Sequence, residues 1–187
     1  MKTLLLSAAT SLAVLAAWVP ASPAISEPHT APKVVKDAPN GIAFPVDYQN
    51  WRVISVSHRT DHQSMRVILG NDTAFEAARA GNTNPWPNGS VLGKVVWKEG
   101  QEPKWAAAIA PKQFIHAEFM FKDTQAWAAT GGWGYARWVG DELKPYGANQ
   151  NFSQECVACH TPVKDNDWVY TIPAHFPKPG LPATDGQ

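Results

Sequence analysis

Sulfur and net charge are what this chain has least of. Only two cysteines and three methionines occur in 187 residues, and 16 basic side chains balance 16 acidic ones. Two cysteines cannot supply the four protein ligands of a structural zinc site of the paired-cysteine kind. The balanced charge lacks the basic excess with which proteins hold a phosphate backbone, so no nucleic-acid partner is expected. No stretch after residue 19 is apolar enough to span a bilayer, and no internal repeat is evident. A chain of this length without repeats suits one compact domain with room to enclose a cofactor.

The start is different in kind. Met1-Lys2-Thr3 leads into an apolar run from Leu4 to Val19, then Pro20-Ala21-Ser22-Pro23-Ala24. A positive start, an apolar centre and small residues at the end read as a signal peptide over residues 1–24, cut after Ala21 or Ala24. The run falls short of the roughly 20 residues that a spanning helix needs. The expected location is therefore periplasmic. Removing the leader takes Lys2 from the 16 bases and nothing from the 16 acids, which leaves one net negative charge. Residues 25–44 are proline-rich and read as a spacer with little regular structure. The folded domain is expected over 45–175 and an extended tail over 176–187.

Within that domain, period-two alternation dominates. Trp51 to Ser57 and Met65 to Leu69 read as strands around a polar turn, His58 to Gln63, whose two histidines read as solvated. Asn71-Asp72 caps a short helix, Thr73 to Ala80, with Ala74, Phe75 and Ala78 inward and Gly81 as its stop. A turn-rich loop, Asn82 to Gly89, precedes a strand from Val91 to Trp97, in which Lys94 shares a face with Leu92 and Val96. Gly100 to Lys104 is a turn. Phe114 to Phe121 places Ile115, Ala117, Phe119 and Phe121 on one side and His116, Glu118 and Met120 on the other. Thr124 to Ala129 suits one helical turn, and Trp133 to Val139, with Arg137, is the last expected strand. His116 and Arg137 are each either pocket or surface residues by periodicity.

The two cysteines lie together near the C-terminus, in Cys156-Val157-Ala158-Cys159-His160. This C-x-x-C-H pattern reads as c-type haem attachment, on a helix expected from Asn149 to Cys159. One turn of helix lets both thiols bond the haem vinyl groups and sets His160 beneath the iron as an axial ligand. A thioredoxin-like redox pair should follow a strand in a βαβ unit, and this pair does not. Attachment outside the cytoplasmic membrane agrees with the leader. No methionine follows the motif, and Met65 and Met120 fall on strands far upstream, so no sixth iron ligand is evident. Strands ahead of the motif exclude a four-helix c′ cytochrome. The expected fold is α+β, a largely antiparallel β-sheet with short helices and a C-terminal haem-binding helix in a single domain. An open iron face points to ligand binding or catalysis.

The sequence resembles the cytochrome P-460 family, including the related cytochrome c′-β, from about Tyr48 to Tyr170. The resemblance is carried by Tyr48-x-x-Trp51, Arg66 and Asn88-Gly89-Ser90-Val91-Leu92-Gly93-Lys94. It continues in Phe121-Lys122-Asp123, Gly132-Trp133 and Glu155-Cys156-Val157-Ala158-Cys159-His160. It implies one covalent haem c and a possible homodimer. It also implies either hydroxylamine oxidation at a haem cross-linked to a lysine, here Lys94, or nitric-oxide binding without turnover. The hydroxylamine oxidisers place a carboxylate just before the last strand. Ala128-Ala129-Thr130-Gly131-Gly132 has no acid there, which leaves Glu118 or His116 as substitutes. Arg137 is a candidate haem contact, and Phe119 and Trp133 are candidate distal aromatics. A third reading is plain electron transfer with Lys94 or His116 on the iron. Electrons would pass to a soluble carrier protein.

Overall fold

The structure, a computed structural model, describes residues 34–177. The expected leader, the spacer up to residue 33 and the tail from residue 178 lie outside the described residues. Six strands form one antiparallel sheet in chain order: β1 (Arg52–Arg59), β2 (Ser64–Gly70), β3 (Val91–Gln101), β4 (Ile109–Lys122), β5 (Trp133–Val139) and β6 (Lys144–Pro145). Sequence neighbours pair because antiparallel strands need only a short connection. Helix α1 (Asp72–Ala80) sits between β2 and β3, and α2 (Ser153–His160) follows β6. Tight 3-10 turns cover Tyr48–Asn50, Ala128–Thr130, Gln150–Phe152 and Thr161–Asn166. This is the expected mixed α+β fold of an antiparallel sheet with short helices. Among the described residues no helix is long and apolar enough to cross a membrane.

The differences from expectation have local causes. β1 runs on to Arg59, so His58 belongs to a strand, where it meets Glu99 of β3. β3 and β4 extend into a long hairpin because irregularities at Val96/Trp97 and Trp97/Glu99 let the ladder continue. Its tip is held by Gln101, whose amide donates to the carbonyls of Ala106 and Ala108 at 2.7 and 3.0 Å. β6 is too short to show a period. In α1, Asn71 accepts from the Ala74 N–H and Gly81 ends the helix at φ 74°. Ala77 rather than Ala78 is its second buried residue, and Phe75 is half-buried beneath Arg52 and Arg79. Where a helix from Asn149 was expected, Asn149 instead caps a 3-10 turn, and α2 starts at Ser153.

Alternation divides the sheet into two faces. On the outer face, Leu69, Val95, Ala117, Phe119, Ala136 and Trp138 pack against Phe44, Tyr48 and Phe152. Phe119 is the hub, meeting Phe44, Tyr48, Trp51 and Trp138 with ring centroids 5.5 to 5.9 Å apart. Gly93 is opposite it in the ladder because a Cβ there would stand 2.8 Å from the Phe119 ring. Residues 34–44, read as spacer, have no strand or helix, yet they contribute Ala38, Ile42 and Phe44 to this core. The Trp138 indole also donates to the Lys36 carbonyl at 2.8 Å. On the inner face, Ile54, Ile68, Leu92, Trp133 and Tyr135 pack with Ala74 and Ala77 of α1 and with Trp86 and Val169. Beyond Val169 the end of the domain returns to β1: the Ala174 N–H donates to the Ile54 carbonyl at 2.8 Å.

Phe119→Ala is expected to lower unfolding free energy by about 3–5 kcal/mol, the range for emptying a buried aromatic site. Val56→Ala, on the exposed side of β1, is expected to change it by less than about 0.5 kcal/mol. Urea titrations of both variants check the contrast, and equal effects would place the core elsewhere.

Candidate functional site

Between the inner face and α2 lies a cleft of about 1210 Å³, larger than the roughly 300–1,000 Å³ of an ordinary small-molecule pocket. Strand register builds one wall. Arg66, Val96 and His116 lie abreast on β2, β3 and β4. Lys94, Glu118 and Arg137 lie abreast on β3, β4 and β5, with Ile68 beyond. Leu92, Met120 and Tyr135 form the next row. The opposite wall is α2, which presents Cys156, Cys159 and His160 to the same cleft. Residues from strands β2 to β5 and from a helix far along the chain therefore meet in one place. Of the site residues named from the sequence, Lys94, His116, Glu118, Arg137, Cys156, Cys159 and His160 line it, Phe119 borders it, and Trp133 does not.

The sheet wall is ionic. Glu118 receives the Lys94 ammonium on Oε2, while Arg137 Nε lies 2.7 Å and His116 Nε2 3.2 Å from Oε1. The Arg137 Nε contact is an ion contact, off the hydrogen-bond direction. The Arg137 guanidinium also lies 4.5 Å from the Tyr146 ring centre. Burial opposes ionisation of Glu118, but Lys94 and then Arg137 outweigh it and hold the carboxyl at about 2. His116 is pushed down to about 4, first by burial and then by the cations around it, against the pull of Glu118. At neutral pH the wall therefore carries a carboxylate and a neutral imidazole.

On the helix wall burial acts on one thiol and the imidazole. Both thiols are free, and burial raises Cys156 to about 11. Burial lowers His160, and its Nδ1–H donates to the Trp168 carbonyl at 2.6 Å. That bond fixes the tautomer with Nε2 as the free lone pair, the arrangement of a metal-ligating histidine. Two buried atoms of the cleft lining, Arg66 Nε and Tyr135 Oη, have no partner among the described residues. Among the described residues no three His, Cys, Asp or Glu side chains gather to hold a bare metal ion. Paired thiols, a tethered imidazole, unpartnered donors and a cleft of this size fit a tetrapyrrole.

The expected aromatic distal wall is corrected. The ring of Phe119 belongs to the outer core, on the opposite parity from Glu118, and Trp133 is fully buried with its indole N–H on the Asp167 carbonyl. The aromatic rings found in the cleft, Tyr135 and Tyr170, stand instead beside His160, with ring centres 5.3 and 5.4 Å from its own. Neither tyrosine was singled out from the sequence. Nor was Met120 as a cleft residue, although its parity with Glu118 was visible. His58 and His62 are exposed at the surface.

A sheet wall of charge facing a helix wall of thiols and imidazole suits a haem-binding, cytochrome-like protein, and the family match supports that class. The chain belongs to the Cytochrome P460 family, whose profile matches residues 45–171. No curated protein matches the chain.

The lowered histidines predict acid sensitivity. The unfolded chain takes up protons on His116 from near pH 6.5, whereas the folded chain does so only near 4. Stability is then complete above that window and falls with pH through it. The melting temperature is expected to drop between pH 7 and 4, and His116→Gln to flatten part of the drop. An unchanged pH slope in the variant refutes the assignment.

Proposed function

We propose that this chain is an exported, periplasmic mono-haem c-type cytochrome that binds small nitrogen compounds, hydroxylamine or nitric oxide, at an open iron face. The supporting observation is the meeting of Cys156, Cys159 and His160 with the Lys94–Glu118–Arg137 row across one cleft. Cys156 and Cys159 would bond the haem, α2 acting as the haem-binding helix, and His160 would ligate through Nε2. When bound, the haem supplies a redox-active iron with one coordination position for the ligand. Tyr135 and Tyr170 flank the His160 ring and limit its rotation.

The chain's own residues decide between turnover and binding. Oxidising hydroxylamine removes protons with the electrons, and a good acceptor has a pKa near the working pH. Glu118 at about 2 and His116 at about 4 are weak acceptors. That favours nitric-oxide binding without turnover while the Lys94 amine pairs with Glu118. A Lys94 bonded to the macrocycle would no longer neutralise Glu118, whose basicity would then rise. The cross-link and the proton acceptor are thus linked through one residue. In the enzymatic case a soluble electron carrier takes the electrons.

Intact mass and an optical spectrum test this. One haem retained after denaturation, lost in Cys156→Ser/Cys159→Ser, is expected. A red-shifted ferrous Soret band that Lys94→Leu abolishes would establish the cross-linked form. An ordinary c-type spectrum with rapid nitric-oxide binding supports the binding protein. A six-coordinate low-spin spectrum indifferent to added ligands would sink both in favour of electron transfer alone.

A further inference from the structure

One buried ion pair lies outside the cleft lining. Lys122, the last residue of β4, places Nζ 2.6 Å from Oδ1 of Asp167, with the two side chains only 3% and 9% exposed. The other carboxylate oxygen accepts from the Trp86 N–H at 2.8 Å. The Lys122 ammonium also lies 4.9 Å from the Trp133 ring centre, and the Trp133 indole donates to the Asp167 carbonyl at 2.8 Å. Asp167 is therefore gripped at once by β4, β5 and the loop that carries Trp86. Stability alone is a poor reason for such a pair, because apolar side chains of similar volume often serve as well.

What the pair holds is backbone in an unusual conformation. Asp167 at φ 48° and Trp168 at φ 65° are both left-handed, a region that aspartate enters readily and a bulky residue rarely. Such conformations persist where the surroundings over-determine them. Gly131 makes room for the Trp168 indole, since a Cβ there would stand 2.1 Å from its Nε1. The result is that the Trp168 carbonyl points at His160 Nδ1. Two residues on, the Tyr170 hydroxyl donates to the Cys159 carbonyl at 2.7 Å. Residues 167–170 thus close over the end of α2 as a clasp, and the Lys122–Asp167 pair is its fixed point.

We propose that Lys122 and Asp167 are positioning residues for the proximal ligand: their ion pair locks the Trp168 carbonyl onto His160 Nδ1 and so sets the donor strength of Nε2. The proposal rests on the haem reading above. A firm Nδ1–H bond to a carbonyl raises the basicity of the ligating nitrogen. A more basic imidazole bonds iron more strongly and favours its ferric state.

The test uses the full-length, haem-loaded protein and the double variant Lys122→Met/Asp167→Asn, which leaves no buried charge without its partner. Resonance Raman of the ferrous protein reads the iron–histidine stretch, and redox titration reads the potential. The expected result is retained haem, a lower stretching frequency and a raised potential, with Lys122→Arg staying at wild type. Gly131→Ala, which pushes the Trp168 indole with both charges in place, is expected to move the band the same way and serves should the double variant not fold. A folded, haem-loaded variant of either kind with the wild-type band and potential overturns the positioning role alone. A wild-type chain with the mass of bare polypeptide overturns the haem reading and this proposal together.

Discussion

Glu118 is the one carboxylate among the charges on the inner face of the sheet at its centre, and the cleft depends on it. Arg66, Lys94 and Arg137 all line the same wall. Lys94 and Arg137 flank Glu118 from the neighbouring strands, two strand spacings or about 10 Å apart. Without the intervening carboxylate, two cations would face each other across a partly desolvated wall, where each charge costs several kcal/mol to bury. With it, the row Lys94–Glu118–Arg137 carries one net positive charge instead of two, the neutral His116 touches the same carboxylate from the next row, and the repulsion across the wall is reduced. Antiparallel register is what makes this local: Lys94, Glu118 and Arg137 are direct partners in adjacent ladders.

The two walls divide the chemistry. The helix brings two thiols and an imidazole, with burial raising Cys156 and lowering His160. The sheet brings groups that carry charge or move protons, kept ionised or neutral by one another. Membership of the Cytochrome P460 family sets the frame for such a division. In this chain the carboxylate is on β4, within the sheet, and its protonation is governed by the lysine beside it. On the function proposed above, the proton-accepting power of the site and the state of that lysine are one variable.

Much of this was legible in the sequence, because the relevant signals are local. C-x-x-C-H needs only adjacent residues, and the alternation of β4 and β5 put His116, Glu118 and Arg137 on definable faces. The same alternation placed Phe119 opposite Glu118, so its ring could not belong to a wall on Glu118's side once register brought Lys94 and Glu118 together. Register is a property of pairs of strands, and one strand does not reveal it. Ala38, Ile42 and Phe44 were hidden for a related reason: their burial depends on Trp138 and Phe152, about a hundred residues away. The Asp167–Trp168 bend was least legible of all. It lacks the glycine that usually marks a left-handed backbone, and its partner Lys122 is 45 residues upstream.

The order of the elements along the chain has a consequence for how the protein is made. All six described strands precede α2, and residues 167–170, which secure α2, follow it. A chain that folds from its N-terminus as it emerges finishes the sheet and its ionic wall first. The helix with its thiols then arrives at a surface already shaped to receive it. Before residues 167–170 follow, that helix is held by its packing on the sheet and by Tyr146 on Glu155, without the carbonyl that takes His160 Nδ1–H or the hydroxyl on the Cys159 carbonyl. The clasp thus sets an order in assembly: the helix wall is secured only after the sheet wall stands.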